Sequence, residues 1–326
     1  MSNQTRDIGT LAYFKTRLGR VAVTSEPKKA VDACIDFFET VVTGHWIACA
    51  CEILGISSPD QEITLPVHLK RATPREKLLF IENIARKVAD RLTVVDSVFN
   101  AEDTLATPDD DKVFNYTRTL CHFASLMIEF RDAWAEGDGD RVMRCWKIFL
   151  PHFITDGRTK YALEALRLQF QVNVLLSPNL AHQVKWHRFV NTKGGYGHNI
   201  PCDLYNEHVN RWVKIIIRNM GSNVTEGALQ RSIRCVAPLR DFCEQFDRES
   251  NVPVTTTAHS TKSSDEDLKL VVSVALRKKL LSHQGERAHQ SFLEIPPNPL
   301  IKWNREKTIA WVIKKKREYK KFKGLL

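Results

Sequence analysis

Apolar residues recur along this chain at three- and four-residue spacing, which is the period of an amphipathic helix rather than of a strand. From 28 to 54, Val31, Cys34, Ile35, Phe38, Val42, Cys49 and Ile53 lay a stripe along one helix, and Gly55 is placed to end it. Thr73-Pro74-Arg75-Glu76 reads as a capping box with proline at the first helical position. The helix behind it carries Leu78, Ile81, Ile84, Ala85, Val88 and Leu92. Thr107-Pro108-Asp109-Asp110 predicts another start, with Tyr116, Leu120, Phe123, Met127 and Trp134 following. After the break at Gly137-Asp138-Gly139-Asp140 come Val142, Cys145, Trp146 and Phe149, then a helix over 159–175. Ser177-Pro178 starts one that ends near Trp186.

Residues 191–199 form a glycine-rich loop. Pro201 reopens helix through Leu204, His208, Trp212, Ile216 and Met220 to Gly221, and Thr225 caps a helix to about Phe246. Strand signals are confined to 62–65 and Phe189-Val190. Residues 250–264 are Ser/Thr-rich without a core pattern and read as a flexible linker. A helix is expected over 265–283, an extended Pro segment over 295–299, and a final helix from an Asn304 cap to Lys323. The expected fold is mainly α. It comprises a polar segment 1–27, a multi-helix, bundle-like body 28–249, the flexible linker 250–264, and C-terminal helices 265–326 that end in a basic tail.

Composition supports a globular chain of 326 residues with 43% apolar, 26% charged and 9% aromatic residues. The most apolar window, 41–56, is interrupted by His45 and Glu52, so no membrane-spanning helix and no membrane partner are expected. Residues 1–10 lack the apolar run of a secretory signal. Eight cysteines, none in a CxxC pair, then read as reduced, mostly buried thiols in a nuclear or cytoplasmic protein. The net charge is +10, and residues 301–326 alone carry +8 of it.

That tail sets the first functional reading. Lys314, Lys315, Lys316, Arg317, Lys320, Lys321 and Lys323 form a run that attracts phosphate, in DNA or RNA, or an import receptor, and it favours the nucleus. A solvated helix end is the plainer alternative. Lys185, Arg188, Lys193 and Arg211 are second-tier contacts. His198, Cys202 and His208 match no standard zinc spacing, so no metal is expected. Gly194-Gly195-Tyr196-Gly197 lacks the Lys-Ser/Thr of a phosphate loop, and its glycines read as permitting positive φ. Asn191, Asn199, Asp203, Glu207, His208 and Asn210 read as a structural polar cluster. Glu164, near an apolar helix face with Arg167 at i+3, and Asp203 with Glu207, one turn apart, are the candidate catalytic carboxylates. No GxSxG or cysteine nucleophile pattern is present.

The polar strings themselves carry a resemblance. They are Gly137-Asp138-Gly139-Asp140-Arg141 with Arg144-Cys145-Trp146-Lys147, Lys160-Tyr161-Ala162-Leu163-Glu164-Ala165, and His182-Gln183-Val184-Lys185-Trp186-His187-Arg188. Val190-Asn191-Thr192-Lys193-Gly194-Gly195, Asn199-Ile200-Pro201-Cys202-Asp203-Leu204 and Glu207-His208-Val209-Asn210-Arg211 complete them. Over about 137–247 the chain resembles a eukaryotic domain-of-unknown-function family abundant in transposon-derived open reading frames. Asn298-Pro299-Leu300 and Trp311-Val312 extend the resemblance weakly towards the end. Family members also carry an N-terminal Gly-Asp-Gln type motif, which this chain lacks, as it lacks the strands of a ribonuclease-H-like core.

The resemblance implies transposon ancestry without activity in this chain alone. The leading expectation is a transposon-derived, non-catalytic protein with weak, sequence-independent nucleic-acid binding and no cofactor. The alternatives are a helical protein-interaction module with protein partners, or the remnant of a metal-dependent DNA transferase or nuclease. The last would use Glu164, Asp203 and Glu207 with Mg2+.

Overall fold

The computed structural model describes residues 7–24, 26, 30–63, 66–92, 111–192, 194–222, 225–249, 265–289, 291–296, 298–300 and 302–322. The predicted start at Thr107 and the linker 250–264 lie outside them. The described chain is mainly helical, in the order α1 (Leu11–Arg17), α2 (Val31–Leu54), α3 (Val67–Lys70), α4 (Pro74–Leu92), α5 (Lys112–Glu136), α6 (Gly139–Thr155), α7 (Thr159–Phe170) and α8 (Pro178–Trp186). Strands β1 (Phe189–Val190) and β2 (Ile200–Pro201) follow, then α9 (Cys202–Met220), α10 (Glu226–Glu249), α11 (Asp265–Arg277) and α12 (Arg305–Phe322). A π-helical turn, Gln171–Leu175, continues α7. Residues 62 and 63 are irregular, so the predicted strand over 62–65 does not form where it is described.

Local chemistry sets most boundaries. The Thr73 hydroxyl accepts the Glu76 amide at 3.3 Å, and the Glu76 carboxylate accepts the Thr73 amide at 2.7 Å, closing the capping box of α4. Ser177 caps α8 by accepting the Leu180 amide at 3.4 Å, and Asn304 caps α12 by accepting the Lys307 amide at 2.8 Å. Gly55 ends α2 in the left-handed conformation. The cap of α5 is Asp111, whose Oδ1 accepts the Phe114 amide at 2.9 Å. The helix read as 265–283 stops at Arg277. Lys279 takes φ +49 there, and the Leu280 amide returns to the Ala275 carbonyl, burying Leu280 in the core.

The chain divides into two compact units. The first comprises Met1–Glu129, Cys145–Arg167 and Ala258–Leu326, and the second comprises Phe130–Arg144 and Leu168–Thr257. The core of the first surrounds α2: Phe14 of α1, Phe37, Val41, Val42 and Cys49 of α2, Leu92 of α4, Leu120, Cys121 and Ala124 of α5, and Val271, Val272 and Ala275 of α11. The polar first 27 residues thus contribute a core helix, and α11 completes the same core. A Cβ on Gly44 would come within 2.5 Å of Val271 Cγ1, so glycine permits the close crossing of α2 and α11. Among the described residues, α2 is the one helix whose length and composition would also suit a membrane span, and half of that stretch is buried in this core. Between α2 and α4 lies an apolar cavity of about 640 Å³, lined by Trp46, Ile47, Phe80, Ile84 and Val88 among others. Cys49, Cys51, Cys121 and Cys145 are buried free thiols, whereas Cys34 and Cys202 are half-buried and Cys235 is exposed.

Four of the described histidines in this unit are buried: His45, His122, His152 and His289. His45 is fully enclosed, with Nδ1 2.6 Å from the Val41 carbonyl. Burial pushes its pKa down to about 4, against the opposing Val41 hydrogen bond. His122 and His152 share an Nε2–Nε2 contact of 3.1 Å, and burial holds both below the ordinary imidazole range. One ring donates to the other, so a proton on the accepting nitrogen breaks the pair. The unfolded chain therefore binds more protons than the folded chain below pH 6.5. Stability is fully present above that value and falls as pH drops towards 4, with His45 alone accounting for about 3 kcal/mol. Urea unfolding at stepped pH is expected to show this decline, with a shallower pH slope in His45→Gln. Equal slopes in the two proteins would refute the assignment.

Candidate nucleic-acid interface

The basic tail folds as α12. Successive residues turn by 100°, so Thr308, Trp311, Val312 and Lys315 share one side, and these four are the half-buried positions around the centre of the helix. Lys314, Lys316, Arg317, Lys320 and Lys321 occupy the other side and are exposed, over a rise of about 10 Å. Ile309 and Ile313, nearly half exposed, lie along the same side. Lys315 departs from the run: its Nζ donates to Glu318 at 2.7 Å, and that bond holds the exposed Glu318 carboxyl below its usual range. Tyr319 is exposed, and Lys323 lies outside the described residues. Five cations on one helical side make a surface for a row of phosphates. Lysine ammonium groups act as point charges suited to phosphate oxygens.

The second unit contains the glycine-rich loop. β1 and β2 pair antiparallel, Phe189 with Pro201 and Val190 with Ile200. Between them Gly194, Gly195 and Gly197 take φ of +71, +75 and +76, as their reading as positive-φ positions requires. Asn191 donates to the Gly195 carbonyl at 2.8 Å. Asn199 donates through both its side chain and its backbone amide to the Ala135 carbonyl, at 2.9 and 3.1 Å.

The polar strings of this unit interlock. Asp138 Oδ1 caps α6, accepting the Asp140 and Arg141 amides at 3.1 and 3.0 Å. Asp140 pairs with Lys185 at 3.0 Å, and Arg141 pairs with Glu136. Tyr196, though exposed, hydrogen-bonds Glu136, which raises its phenol pKa. Gly139 lies against the Lys185 carbonyl, where a Cβ would stand 2.4 Å away. Arg188 stacks on Trp134, its guanidinium carbon 5.4 Å from the ring centroid, and Trp134 meets Phe189 edge-on at 4.9 Å. Burial pulls the Arg188 guanidinium below its usual pKa, while Asp203 and Cys202 act in the opposite sense. The Cys202 amide donates to the Arg188 carbonyl at 2.9 Å.

The predicted contacts of the body are therefore placed differently from one another. Lys185 is engaged with Asp140 and Arg188 with Trp134. Arg211 is exposed on α9, and Lys193 lies outside the described residues. Of the predicted polar cluster, Asn191 and Asn199 hold the loop and Asp203 sits in the first turn of α9 beside Arg188. Glu207, His208 and Asn210 are exposed along α9. Glu164, expected near an apolar face, is exposed and paired with Arg167 at 3.0 Å, while Ala162 and Ala165 face inward. Glu164 belongs to the first unit, and Asp203 and Glu207 to the second. Among the described residues no three His, Cys, Asp or Glu side chains are grouped to hold a metal ion. Sequence reasoning missed Trp134 and Glu136 as anchors of the loop. The N-cap signature of Asp138 ahead of Val142 and Cys145 was the available signal for the α6 start.

No curated protein matches this chain, and no solved structure matches it. A family profile does, and it reaches beyond the resemblance carried by the polar strings: it begins at the N-terminal helices and stops before α11. Because residues 1–259 match the family of unknown function DUF6589, the chain belongs to that family.

Proposed function

We propose that this protein is a transposon-derived, non-catalytic nucleic-acid-binding protein that grips the phosphate backbone without sequence preference. The observation that carries this reading is the exposed cationic side of α12, formed by Lys314, Lys316, Arg317, Lys320 and Lys321. The transposon origin rests on the resemblance of the polar strings to a family abundant in transposon-derived open reading frames. The absence of catalysis is supported by the surface ion pair of Glu164 and by the engagement of the polar strings in holding the second unit together. The same lysines suit an import receptor, which makes the nucleus the expected compartment.

Fluorescence anisotropy with generic duplex DNA, titrated in salt, tests the proposal. Five phosphate contacts predict a slope of log K against log salt of about −4.5. The variant Lys316→Gln/Arg317→Gln/Lys320→Gln/Lys321→Gln is expected to flatten that slope to about −1 and to weaken binding about a hundredfold at low salt. Binding that hardly responds to salt, or that survives in the variant, rules the interface out.

A further inference from the structure

Phosphate contact does not account for the whole exposed side of α12. At 100° per residue, Ile309, Ile313, Lys316 and Lys320 fall within about 60° of arc and form one line along the helix. Glu306, Ala310, Lys314, Arg317 and Lys321 lie on one flank of that line, and Arg305 and Tyr319 on the other. All of them are exposed, Ile309 at 48% and Ile313 at 46%. The half-buried Thr308, Trp311 and Lys315 lie on the opposite side, and Val312 at its edge.

This side is divided along the helix axis. Its first half, Arg305 to Ile313, carries the two isoleucines and a single charge of each sign, Arg305 and Glu306. Its second half, Lys314 to Lys321, carries five cations and no acid, since Glu318 points elsewhere and holds Lys315. A single exposed isoleucine needs no explanation. Ile309 and Ile313, however, stand one turn apart on the line of Lys316 and Lys320, so a surface that the lysines approach is approached by the isoleucines too.

The major groove of B-form DNA offers both chemistries at the width of a helix. It is about 12 Å wide and about 8.5 Å deep, and a helix with its side chains is about 10–12 Å across. Its walls are phosphate rows, and its floor carries the C5-methyl groups of thymine. A single strand has no such groove, and the major groove of duplex RNA is too narrow for side chains to enter. Helices that enter the major groove place N-terminal residues on base edges, and some place their C-terminal end on the backbone. The apolar first half and cationic second half of α12 follow that polarity.

We propose that α12 seats in the major groove of duplex DNA, with Ile309 and Ile313 towards the base edges and Lys314, Lys316, Arg317, Lys320 and Lys321 on the phosphates. This rests on the nucleic-acid reading above and narrows it from any phosphate backbone to B-form duplex. The phosphate contacts carry no sequence preference of their own, and the isoleucines add a bias for base pairs that bear a thymine methyl.

Fluorescence anisotropy on the full chain tests it, with one mixed-sequence duplex, the same duplex with uracil in place of thymine, its single strand, and duplex RNA of that sequence. The uracil duplex differs only in its missing methyl groups. It is expected to bind at least about threefold more weakly, on the scale of one buried methyl contact. Single strand and duplex RNA are each expected to bind at least about tenfold more weakly than the DNA duplex. In Ile309→Ser/Ile313→Ser the two DNA duplexes bind alike, while the salt slope and the helical circular dichroism stay those of the wild type, because no charge and no core residue has changed. Equal affinity for the thymine and uracil duplexes, or for duplex and single strand, overturns the groove placement. With a steep salt slope, those results leave the phosphate grip standing, whereas binding that ignores salt removes both. Stronger binding to phosphatidylserine vesicles than to the duplex assigns this side of α12 to a lipid surface and also overturns the proposal.

Discussion

Alanine at Gly139 is expected to cost the second unit at least about 3 kcal/mol, at the upper end of overpacking effects, because backbone rather than side chain stands in the way. The added Cβ would lie 2.4 Å from the Lys185 carbonyl oxygen and 2.8 Å from its carbon. Relief requires the start of α6 to part from the end of α8. That parting strains the Asp140–Lys185 pair as well as the seat of Arg188 on Trp134. Gly139 does not have positive φ, so space alone sets the cost. Gly157 is the converse control: its φ is +67 and nothing lies within 4 Å of a built Cβ. Gly157→Ala should cost only the conformational strain, about 1 kcal/mol. Thermal melts and limited proteolysis separate the two. Gly139→Ala is expected to expose residues 168–249 to protease well before the remainder of the chain. A melting curve within a degree or so of the Gly157→Ala protein would refute the steric argument.

The contrast between these glycines shows what could be read from the chain in advance. Positive-φ glycines in 194–197 were legible because a tight loop demands them locally. The caps at Thr73, Ser177 and Asn304 were legible for the same reason, since each acts within three residues. Gly139 was not, because its neighbour Lys185 is 46 positions away and only the folded unit brings them together. The polar strings could be seen but not assigned to chemistry or to structure, because Asn199 reaches Ala135 and Asp140 reaches Lys185 across α6 to α8. Glu164 was placed near an apolar face by periodicity. The small Ala162 and Ala165 take the inward positions instead and leave the carboxylate outside with Arg167. His45 read as a break in an apolar window, yet the core closes over it: Nδ1 meets the Val41 carbonyl, while Nε2 is buried without a hydrogen-bond partner, which keeps the ring neutral. On α12 the basic run was plain, but its division was not: Lys315 turns to Glu318 while five neighbours face outward.

Replacing Asp111 with alanine is expected to destabilise the first unit by about 3–5 kcal/mol, the usual cost of stripping one partner from a buried ion pair. Asp111 is fully buried. Its Oδ1 caps α5, and its Oδ2 accepts the Gln284 amide and Arg287 Nε, both at 2.9 Å, and Arg287 Nη2 at 2.5 Å. Arg287 in turn donates to the carbonyls of Lys278, Lys279 and Ser282, which closes the C-terminal end of α11, and its own carbonyl accepts the Lys112 amide. One carboxylate therefore ties the start of α5 to a segment about 175 residues later in the chain. Burial alone would raise its pKa, but the hydrogen bonds from Arg287 and from the Phe114 and Gln284 amides prevail and hold it below the usual range.

The sign follows from that depression. The contribution of Asp111 is complete above the ordinary carboxyl value near 4 and is lost only as pH falls through the lower folded value. The histidine effect occupies the window between 6.5 and 4, so the two are separable by pH. In Asp111→Ala, amide hydrogen exchange should quicken across 278–289 at neutral pH, because Leu280 and Gln284 lose the bonded frame that protects them. The double variant Asp111→Ala/Arg287→Met should cost about 2 kcal/mol less than the sum of the two single changes, since the second removes the charge the first leaves unpaired. Strict additivity would show that the two side chains do not act as one latch.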